Sequence, residues 1–341
     1  MISKLITAFL SSFLIVLILT PIFKKLALKL NVVDYPNERK IHKKPVPLFG
    51  GIPVFISITL LTFIFVKPSR ELMGILIGSV IAFIDGLLDD VMELRASFRI
   101  FPQILAATIC IFFGVRMTFL PHNIWGTALE FILSYLWLIG LTNAMNFFDG
   151  MDGLASSLSA VICFFLAVIG FLTNQFTLVI VSVIVMGATL SFLIYNHHPA
   201  KIFLGDAGSE FLGFFISALA MNAEWAEKGP LFALAIPVLI FGVMIFDMIY
   251  ISIKRFVKKE VRTIREWLEY TGKDHLHHRL FNLGFSQPQT VFFIVAVTIC
   301  LGVSGIILRL TFSKTNAILL VLQACIILSC LSVLMIKKQN V

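Results

Sequence analysis

The sequence predicts an all-α protein: a polytopic membrane bundle of about eleven transmembrane helices, with the N-terminus outside and the C-terminus in the cytoplasm. Three observations support this class. Of the 341 residues, 59% are hydrophobic and 13% are charged, whereas soluble proteins carry roughly 25% charged residues. The mean hydropathy is +0.98. Apolar runs recur along the chain without a long polar linker, so residues 1–341 are predicted to form a single domain.

The apolar runs give the predicted spans in order. A spanning helix needs about 20 mostly apolar residues. Runs of this kind lie at 5–23, 49–66, 71–88, 100–115, 127–143, 155–173, 176–195, 209–222, 231–253, 289–308 and 316–336. The first run is longer than a signal-peptide core and lacks a small-x-small cleavage site, so we interpret it as a retained span.

The basic residues set the predicted orientation. Lys and Arg concentrate in the connections 24–48 and 254–288, and cytoplasmic loops carry such an excess. The net charge of +8 is explained in this way. No basic patch accompanies a soluble fold, so nucleic acid is not expected as a partner. The five cysteines lie in apolar runs without metal-ligand spacing, which predicts buried, inert thiols.

Carboxylates are costly at membrane depth, so clustered ones suggest a functional site. Asp89 and Asp90 end the third run, and Asp85 lies one turn earlier on the face of Asp89. Adjacent carboxylates repel unless a cation lies near them. A solvated helix end is the structural alternative. With the predicted orientation, this pair and three further polar stretches all lie on the cytoplasmic side.

The second polar stretch is Asn143 to Gly153. Its spacing of three places four side chains near one helical face, namely Asn143, Asn146, Asp149 and Asp152. Amide and carboxylate oxygens are the ligands that Mg²⁺ uses, with substrate phosphates and water completing its shell. A structural turn capped by these side chains is the alternative.

The third stretch, Phe203 to Ser209, places Asp206 in a turn of small residues that opens a helix. The exposed N–H groups of a helix N-terminus favour phosphate oxygens. Capping of the helix by Asp206 itself would explain the residue nearly as well.

Two basic loops complete the polar set. Asp274 to Arg279 contains three histidines and an arginine, which suit phosphate better than zinc because no cysteine is nearby. A solvated loop is the alternative there. The first cytoplasmic loop, 34–51, is basic and rich in proline. Anionic lipid headgroups could explain it, and so could a contact with a substrate phosphate.

Together these stretches resemble the polyprenyl-phosphate N-acetylhexosamine-1-phosphate transferases, a family of the glycosyltransferase 4 type. The resemblance is carried by five segments in the family's order, which are Pro36 to His42 with Gly50-Gly51, Leu88 to Asp90, Asn143 to Leu154, Phe203 to Ser209, and His275 to Arg279. Each motif is weak alone, but five in sequence are specific. The resemblance implies transfer of a sugar 1-phosphate from a UDP-sugar to a polyprenyl phosphate lipid, with release of UMP.

The resemblance also implies roles for single residues. Mg²⁺, or Mn²⁺ in its place, would bind Asp206, with Asn146 as a second ligand. Asp89 and Asp90 would lie near the metal and the incoming lipid phosphate, and Asp149 would organise the catalytic centre.

For the substrates, the family pattern implies that Phe203 lies against the uracil. Asn196, Asp152 and Lys44 would hydrogen-bond the uracil or the uridine. The basic group that would hold the diphosphate or the sugar comprises His275, His277, His278 and Arg279. Its His-x-His-His form resembles the N-acetylglucosamine branch more than the muramoyl-pentapeptide branch.

The expected protein is therefore a multi-pass enzyme of a bacterial-type cytoplasmic membrane, with its active site facing the cytoplasm. Another UDP-N-acetylhexosamine or UDP-muramoyl-pentapeptide remains open as the donor, and a homodimer remains open as the assembly. A CDP-alcohol phosphotransferase fits less well, because Asp152-Gly153 is not followed by an arginine. A cation-coupled transporter is the distant alternative, and Asp247 within the ninth run is its best candidate residue.

Overall fold

The computed structural model describes residues 1–36, 44–92, 94–121, 123–225, 229–270, 272 and 274–336. Its regular structure is almost entirely helical, which confirms the all-α class. The helices are α1 (Ile2–Lys29), α2 (Gly51–Phe65), α3 (Arg70–Met92), α4 (Ala96–Phe112), α5 (Ile124–Phe148), α6 (Leu154–Leu172), α7 (Phe176–Asn196), α8 (Gly205–Met221), α9 (Pro230–Ile240), α10 (Gly242–Val257), α11 (Ile264–Glu269), α12 (Leu276–Asn282), α13 (Gln287–Thr311) and α14 (Lys314–Ile336). Two short strands, β1 (Val33–Asp34) and β2 (Val46–Pro47), pair antiparallel, with Val33 opposite Pro47.

Within the described chain, seven helices are long and apolar enough to cross a membrane. The number rises to eight if α9 and α10, which meet at an angle of 86°, form one span. The protein is thus a multi-pass membrane protein. Helices occur at each predicted span, but α2, α4 and α8 have only 15, 17 and 17 residues. The count of eleven spans and the orientation of the termini therefore remain predictions.

The chain divides into two compact units. Unit 1 comprises residues 1–94 and 98–223, and unit 2 comprises residues 95–97 and 224–341. The single domain expected for residues 1–341 remains a prediction.

In unit 1 the short helix α8 forms the core. Every residue from Ala207 to Met221 is buried, and α2, α3 and α5 pack around the helix. An aromatic cluster joins three of these helices: Phe55 of α2 stacks on Phe83 of α3 at 3.9 Å, and the edge of Phe211 of α8 meets Phe55 at 5.1 Å. Helix α8 therefore packs mainly against protein.

A glycine on α3, Gly86, allows the backbones of α3 and α8 to approach closely. A Cβ atom added to Gly86 would lie 2.3 Å from the carbonyl oxygen of Asp206. Real Cβ atoms do not approach other atoms so closely, so α3 can pass α8 at this level only with glycine at position 86. The crossing places the end of α3, with its acidic pair, beside the first turn of α8.

Unit 2 is organised around α13, against which α9, α10, α12 and α14 pack. The five cysteines of the chain are free thiols, and Cys110 and Cys163 of unit 1 are buried as predicted. The predicted burial is wrong for the other three thiols, because Cys300 of α13 and Cys325 and Cys330 of α14 are exposed. The exposed face of an apolar spanning helix adjoins lipid, where a thiol needs no protein packing.

Candidate active site

The N-terminus of α8 is closed by a carboxylate from α3. Asp90 Oδ1 accepts the N–H of Asp206 at 2.8 Å, and Asp90 Oδ2 accepts the N–H of Ala207 at 3.1 Å. The negative charge also lies at the positive end of the helix dipole. The sequence suggested that N–H groups of this first turn would bind phosphate. Two of them, those of Asp206 and Ala207, are instead bonded to Asp90. The expected alternative, capping by Asp206, does not occur, since Leu204 is the N-cap residue of α8.

The predicted metal residues Asp206 and Asn146 meet across α5 and α8. Asn146 Nδ2 donates to Asp206 Oδ1 at 2.5 Å and to Ser209 Oγ at 3.0 Å. The Asp206 side chain is 34% exposed. Its backbone is held by Asp90 and its carboxylate by Asn146, so a fixed acid faces the outside of the helix core.

Arg99 connects the acids of α3 and α8. Its Nη1 lies 2.5 Å from Asp89 Oδ2 and 3.6 Å from Asp206 Oδ2. Its Nε and Nη2 donate to Glu210 Oε1. The other oxygen of Asp89 accepts the N–H of Leu94 at 2.7 Å. The adjacent carboxylates predict a nearby cation. At Asp89 this cation is the guanidinium of Arg99.

Sequence reasoning did not identify Arg99 or Glu210. A signal existed for Glu210, which lies four residues after Asp206 in an apolar run and therefore on the same helical face. Arg99 is one of several basic residues in its connection, and nothing in the sequence distinguishes it from Arg95.

Asp206 and Asn146 fit a Mg²⁺ ion whose remaining ligands come from a substrate. Among the residues that the structure describes, no three His, Cys, Asp or Glu side chains form a metal cage. Mg²⁺ commonly binds one or two protein oxygens and fills its shell with phosphate and water. A half-turn of the Asn146 amide would present its oxygen in place of its nitrogen. This donor set suits a metal whose other positions are filled by water and, when a substrate is bound, by diphosphate oxygens.

The stretch after Asn143 is not one continuous helical face. Helix α5 ends at Phe148, so Asp149 and Asp152 belong to the following turn. Asn143 Nδ2 donates to Gln103 Oε1 of α4 at 2.7 Å, which links two helices. The predicted turn at Gly153 is confirmed by its φ of +76°. The spacing of three is interrupted because the helix stops before it reaches the acids.

Asp149 directly follows α5 and lies beside Gly205, the first residue of α8. Burial and the negative charge of Asp206 raise the pKa of its carboxyl well above the ordinary value, although the N–H of Gly205 donates to it. Its position next to Asp206 is compatible with the predicted organising role, which stays a prediction.

The predicted nucleotide residues Asp152 and Asn196 hold the turn after α7. Asp152 Oδ2 accepts the N–H of Ala200 at 3.1 Å and lies 2.8 Å from His198 Nδ1. Asn196 is buried, and its amide bonds the N–H of Gly153 and the carbonyl of Ile202, each at 3.0 Å. The amide oxygen of Asn196 therefore joins the end of α7 to the start of α6, and its nitrogen holds the turn between α7 and α8.

Phe203 is held by the segment that precedes α2. Its N–H donates to the carbonyl of Pro47 at 2.8 Å, and its carbonyl accepts the N–H of Gly50 at 3.0 Å. The residue is half-buried. Lys44 is exposed, just before β2. Residues 37–43 of the same basic loop lie outside the described residues.

In unit 2, the histidine motif is supported by α10. Asp247 Oδ1 accepts the N–H of Leu276 at 2.8 Å, and Asp247 Oδ2 lies 2.7 Å from His275 Nδ1. Asp247 thus closes the N-terminus of α12 and orients the first histidine. This contact accounts for the buried acid that the transporter interpretation invoked.

The other residues of the motif differ in exposure. His277 is buried, and burial together with the charges of His278 and His275 lowers its pKa well below the ordinary value. His277 is therefore neutral at pH 7 and does not supply the positive charge expected of the motif. His278 is half-buried, and Arg279 Nε donates to the carbonyl of Asp274 at 2.6 Å.

Asp274 forms a two-bond ion pair with Arg255 of α10. The Arg255 Nε and Nη2 atoms donate to the two carboxylate oxygens at 3.0 and 2.7 Å, and the guanidinium lies 4.4 Å from the Tyr270 ring centre. Burial alone raises the pKa of Asp274, but the bonds and charge of Arg255 outweigh it and hold that pKa below the ordinary value. The sequence does not pair these residues.

Comparison with known proteins gives one family. Residues 72–224 match the model of glycosyl transferase family 4. That segment contains Asp85, Asp89 and Asp90 of α3, the whole of α5 and the Asp206 turn of α8.

Relatives match most of the chain. A protein of Bacillus subtilis (strain 168) named "Probable undecaprenyl-phosphate N-acetylglucosaminyl 1-phosphate transferase" is 35% identical over 314 residues, which cover 90% of this chain and 85% of the relative. The "Decaprenyl-phosphate N-acetylglucosaminephosphotransferase" of Mycobacterium tuberculosis (strain CDC 1551 / Oshkosh) is 32% identical and covers 80% and 74%. The "Phospho-N-acetylmuramoyl-pentapeptide-transferase" of Clostridium botulinum (strain Alaska E43 / Type E3) is 29% identical and covers 88% and 94%.

Proposed function

The chain belongs to glycosyl transferase family 4, and from this premise we propose that it transfers N-acetylglucosamine 1-phosphate from UDP-N-acetylglucosamine to undecaprenyl phosphate. The reaction releases UMP and is the first membrane step of cell-surface polysaccharide assembly. One structural observation carries the proposal: α3, α5 and α8 together hold the partly exposed carboxylate of Asp206 beside Asn146.

The bond changes are those of a single displacement. An oxygen of the lipid phosphate attacks the β-phosphorus of the UDP-sugar, and the bond from that phosphorus to the bridging oxygen breaks as UMP departs. A phosphate monoester has a second pKa near 6, so the nucleophile is largely a dianion at neutral pH. The enzyme then needs no strong general base, and its acids can serve to position the reactants.

Each residue of unit 1 has a defined part in this proposal. Asp206 and Asn146 would hold Mg²⁺, or Mn²⁺ in its place, and the ion would supply positive charge to the diphosphate when bound. Asp90 orients Asp206 by fixing the first turn of α8. Asp89 fixes Arg99 close to where a lipid phosphate would approach.

The nucleotide would contact the turn that follows α7. The ring of Phe203 would stack on the uracil, and Asp152 and Asn196 maintain the shape of the turn. Lys44 is proposed to reach the uridine. The basic motif of unit 2, with His275, His277, His278 and Arg279, is proposed to hold the diphosphate or the sugar.

We place the active site at the cytoplasmic face of a bacterial plasma membrane. The clustering of Lys and Arg in 24–48 and 254–288 supports this orientation, and the named relatives are bacterial. The donor is the least constrained substrate, since one relative carries a muramoyl-pentapeptide name. Another UDP-N-acetylhexosamine is therefore tested beside UDP-N-acetylglucosamine.

Purified protein in detergent, given Mg²⁺, undecaprenyl phosphate and a panel of UDP-sugars, is expected to form UMP fastest with UDP-N-acetylglucosamine. Asp206→Asn should lower the rate by roughly a hundredfold or more, because a metal ligand is worth several kcal/mol in such reactions. Glu130→Gln is the control, since this buried acid accepts the N–H of Leu120 in the loop before α5 and is not among the residues proposed for the site. Absence of UMP with every donor would contradict the transferase function, and a trapped phosphoryl-aspartate would contradict single displacement.

A further inference from the structure

Two buried carboxyl groups lie behind the proposed metal site. The Glu210 side chain has no exposed surface, and Asp85 is 3% exposed. Glu210 follows Asp206 by one turn of α8, and Asp85 precedes Asp89 by one turn of α3. Both therefore point into the α3–α8 interface. Buried acids cost free energy, and the proposed reaction does not use these two, so their presence calls for a physical reason.

The contacts of Arg99 provide that reason. Both Nε and Nη2 donate to Glu210 Oε1, while Nη1 contacts Asp89. Asp206 Oδ2 is left 3.6 Å from the same Nη1, beyond a good hydrogen bond. A guanidinium prefers to pair with a carboxylate through two parallel N–H groups. Glu210 occupies the Nε–Nη2 edge that would otherwise be available for such a pair with Asp206.

Asp85 supports Glu210 from the side of α3. The two buried carboxyl groups lie close enough to interact. In the described part of the chain, Asp85 Oδ2 and Glu210 Oε2 have no N–H or O–H donor from another residue. An ionised carboxylate only accepts, so a proton on one of the two groups would supply the missing donor and hold Glu210 in place.

We propose that Glu210, supported by Asp85, is a positioning residue that holds Arg99 away from Asp206 and thereby keeps the Asp206 carboxylate available to the divalent cation. This inference deepens the proposed function and rests on it, because it concerns the metal ligand of that reaction. Without Glu210, the guanidinium moves the short distance to Asp206 and competes with the metal for its oxygens.

The test measures Mn²⁺ binding to the full-length protein in detergent by electron paramagnetic resonance, without substrate. Glu210→Ala is expected to weaken Mn²⁺ binding ten- to a hundredfold, roughly the value of one new charge-assisted hydrogen bond between Arg99 and Asp206. Glu210→Gln keeps an acceptor for Arg99 and should bind Mn²⁺ within about threefold of the wild type. Glu130→Gln is the matched control for loss of a buried glutamate charge away from the site.

The double variant Glu210→Ala/Arg99→Met separates competition from damage to the fold. If Arg99 is the competitor, its removal restores Mn²⁺ binding to the wild-type level or beyond. Unchanged binding in Glu210→Ala overturns the proposal, as does weak binding that persists in the double variant. A wild type that binds no Mn²⁺ overturns it as well. A wild type that binds Mn²⁺ but forms no UMP from any donor contradicts the proposed function alone.

Discussion

Asp90 of α3 accepts the backbone N–H of Asp206, 116 positions later in the chain, at 2.8 Å. The acid at the end of one helix thus determines where the first turn of another begins. The resemblance implies that Asp90 lies near the metal and the lipid phosphate, and in the structure its two oxygens bind the first turn of α8. Its contribution to the proposed reaction is indirect, through the position of Asp206.

Replacing Asp90 with Asn should therefore affect stability and activity together. The amide retains one acceptor, and the N–H of Ala207 loses its partner. We expect a loss of about 1–3 kcal/mol in the free energy of unfolding, with a fall in UMP formation. Thermal unfolding in detergent and the UMP assay measure the two effects.

A matched control removes a different helix cap. Asn123→Ala takes away the side chain that accepts the N–H of Gly126 at the start of α5, and should cost about 1 kcal/mol without changing the rate of UMP formation. Equal losses of activity in both variants would show that Asp90 acts only on stability.

Gly205→Ala is predicted to be strongly destabilising. Gly205 has a φ of +76°, and an added Cβ would lie 2.6 Å from both Asp90 Oδ2 and the carbonyl of Leu48. The left-handed backbone alone costs about 1–2 kcal/mol for a residue with a Cβ, and the displaced cap adds to it. The melting temperature in detergent should fall, and UMP formation with it.

Gly140→Ala is the comparison for that variant. No heavy atom lies within 4 Å of a Cβ placed there, and alanine is favoured over glycine inside a helix by about 0.5–1 kcal/mol. We expect an unchanged or higher melting temperature. A similar decrease for both variants would contradict the role assigned to the Gly205 turn.

Asp247→Asn should impair activity more than stability. The amide oxygen can still accept the N–H of Leu276, but one hydrogen bond between the carboxylate and His275 is lost. Since a hydrogen bond to a charged group is worth about 1.5–3 kcal/mol, we expect about a tenfold lower kcat/KM. Asp247→Ala removes both contacts and should lower the melting temperature as well. An unchanged rate in Asp247→Asn would mean that orientation of His275 does not matter.

The Arg255–Asp274 pair predicts an acid-sensitive contribution to stability. The pKa of Asp274 is held below its ordinary value in the folded protein, so the pair stabilises the fold fully above the unfolded pKa of about 3.9. That contribution is lost as the pH falls through the still lower folded pKa. Melting curves between neutral pH and about pH 3 should show the wild type losing more stability than Asp274→Asn.

At neutral pH, Asp274→Asn should be less stable than the wild type. Asp274→Asn leaves Arg255 buried without its charge partner, and breaking such a pair costs about 3 kcal/mol or more. If Asp274→Asn and the wild type lose stability in parallel on acidification, the depressed pKa of Asp274 is not the cause.

The sequence by itself determined the properties that depend on composition and local order. Apolar runs predicted a helix at each span because burying backbone groups in lipid leaves few other structures. The polar interruptions and their order predicted the family, and that assignment is confirmed. Asn146 and Asp206 stand out as polar side chains in an apolar sequence, and the family resemblance implies that they bind the metal.

Only the tertiary structure decided which charges meet. The helical period shows which residues share a face of one helix, but it cannot show which helix that face will contact. Arg99 came to join Asp89 and Glu210, and Asp247 came to hold His275, through packing between distant segments. The same limit applies to α8, because its burial depends on the packing of α2, α3 and α5 around it. Isolated charges are costly in a membrane protein, and packing between helices supplies their partners. The same packing shows that Asp90 and Asn196 hold the backbone around the candidate site.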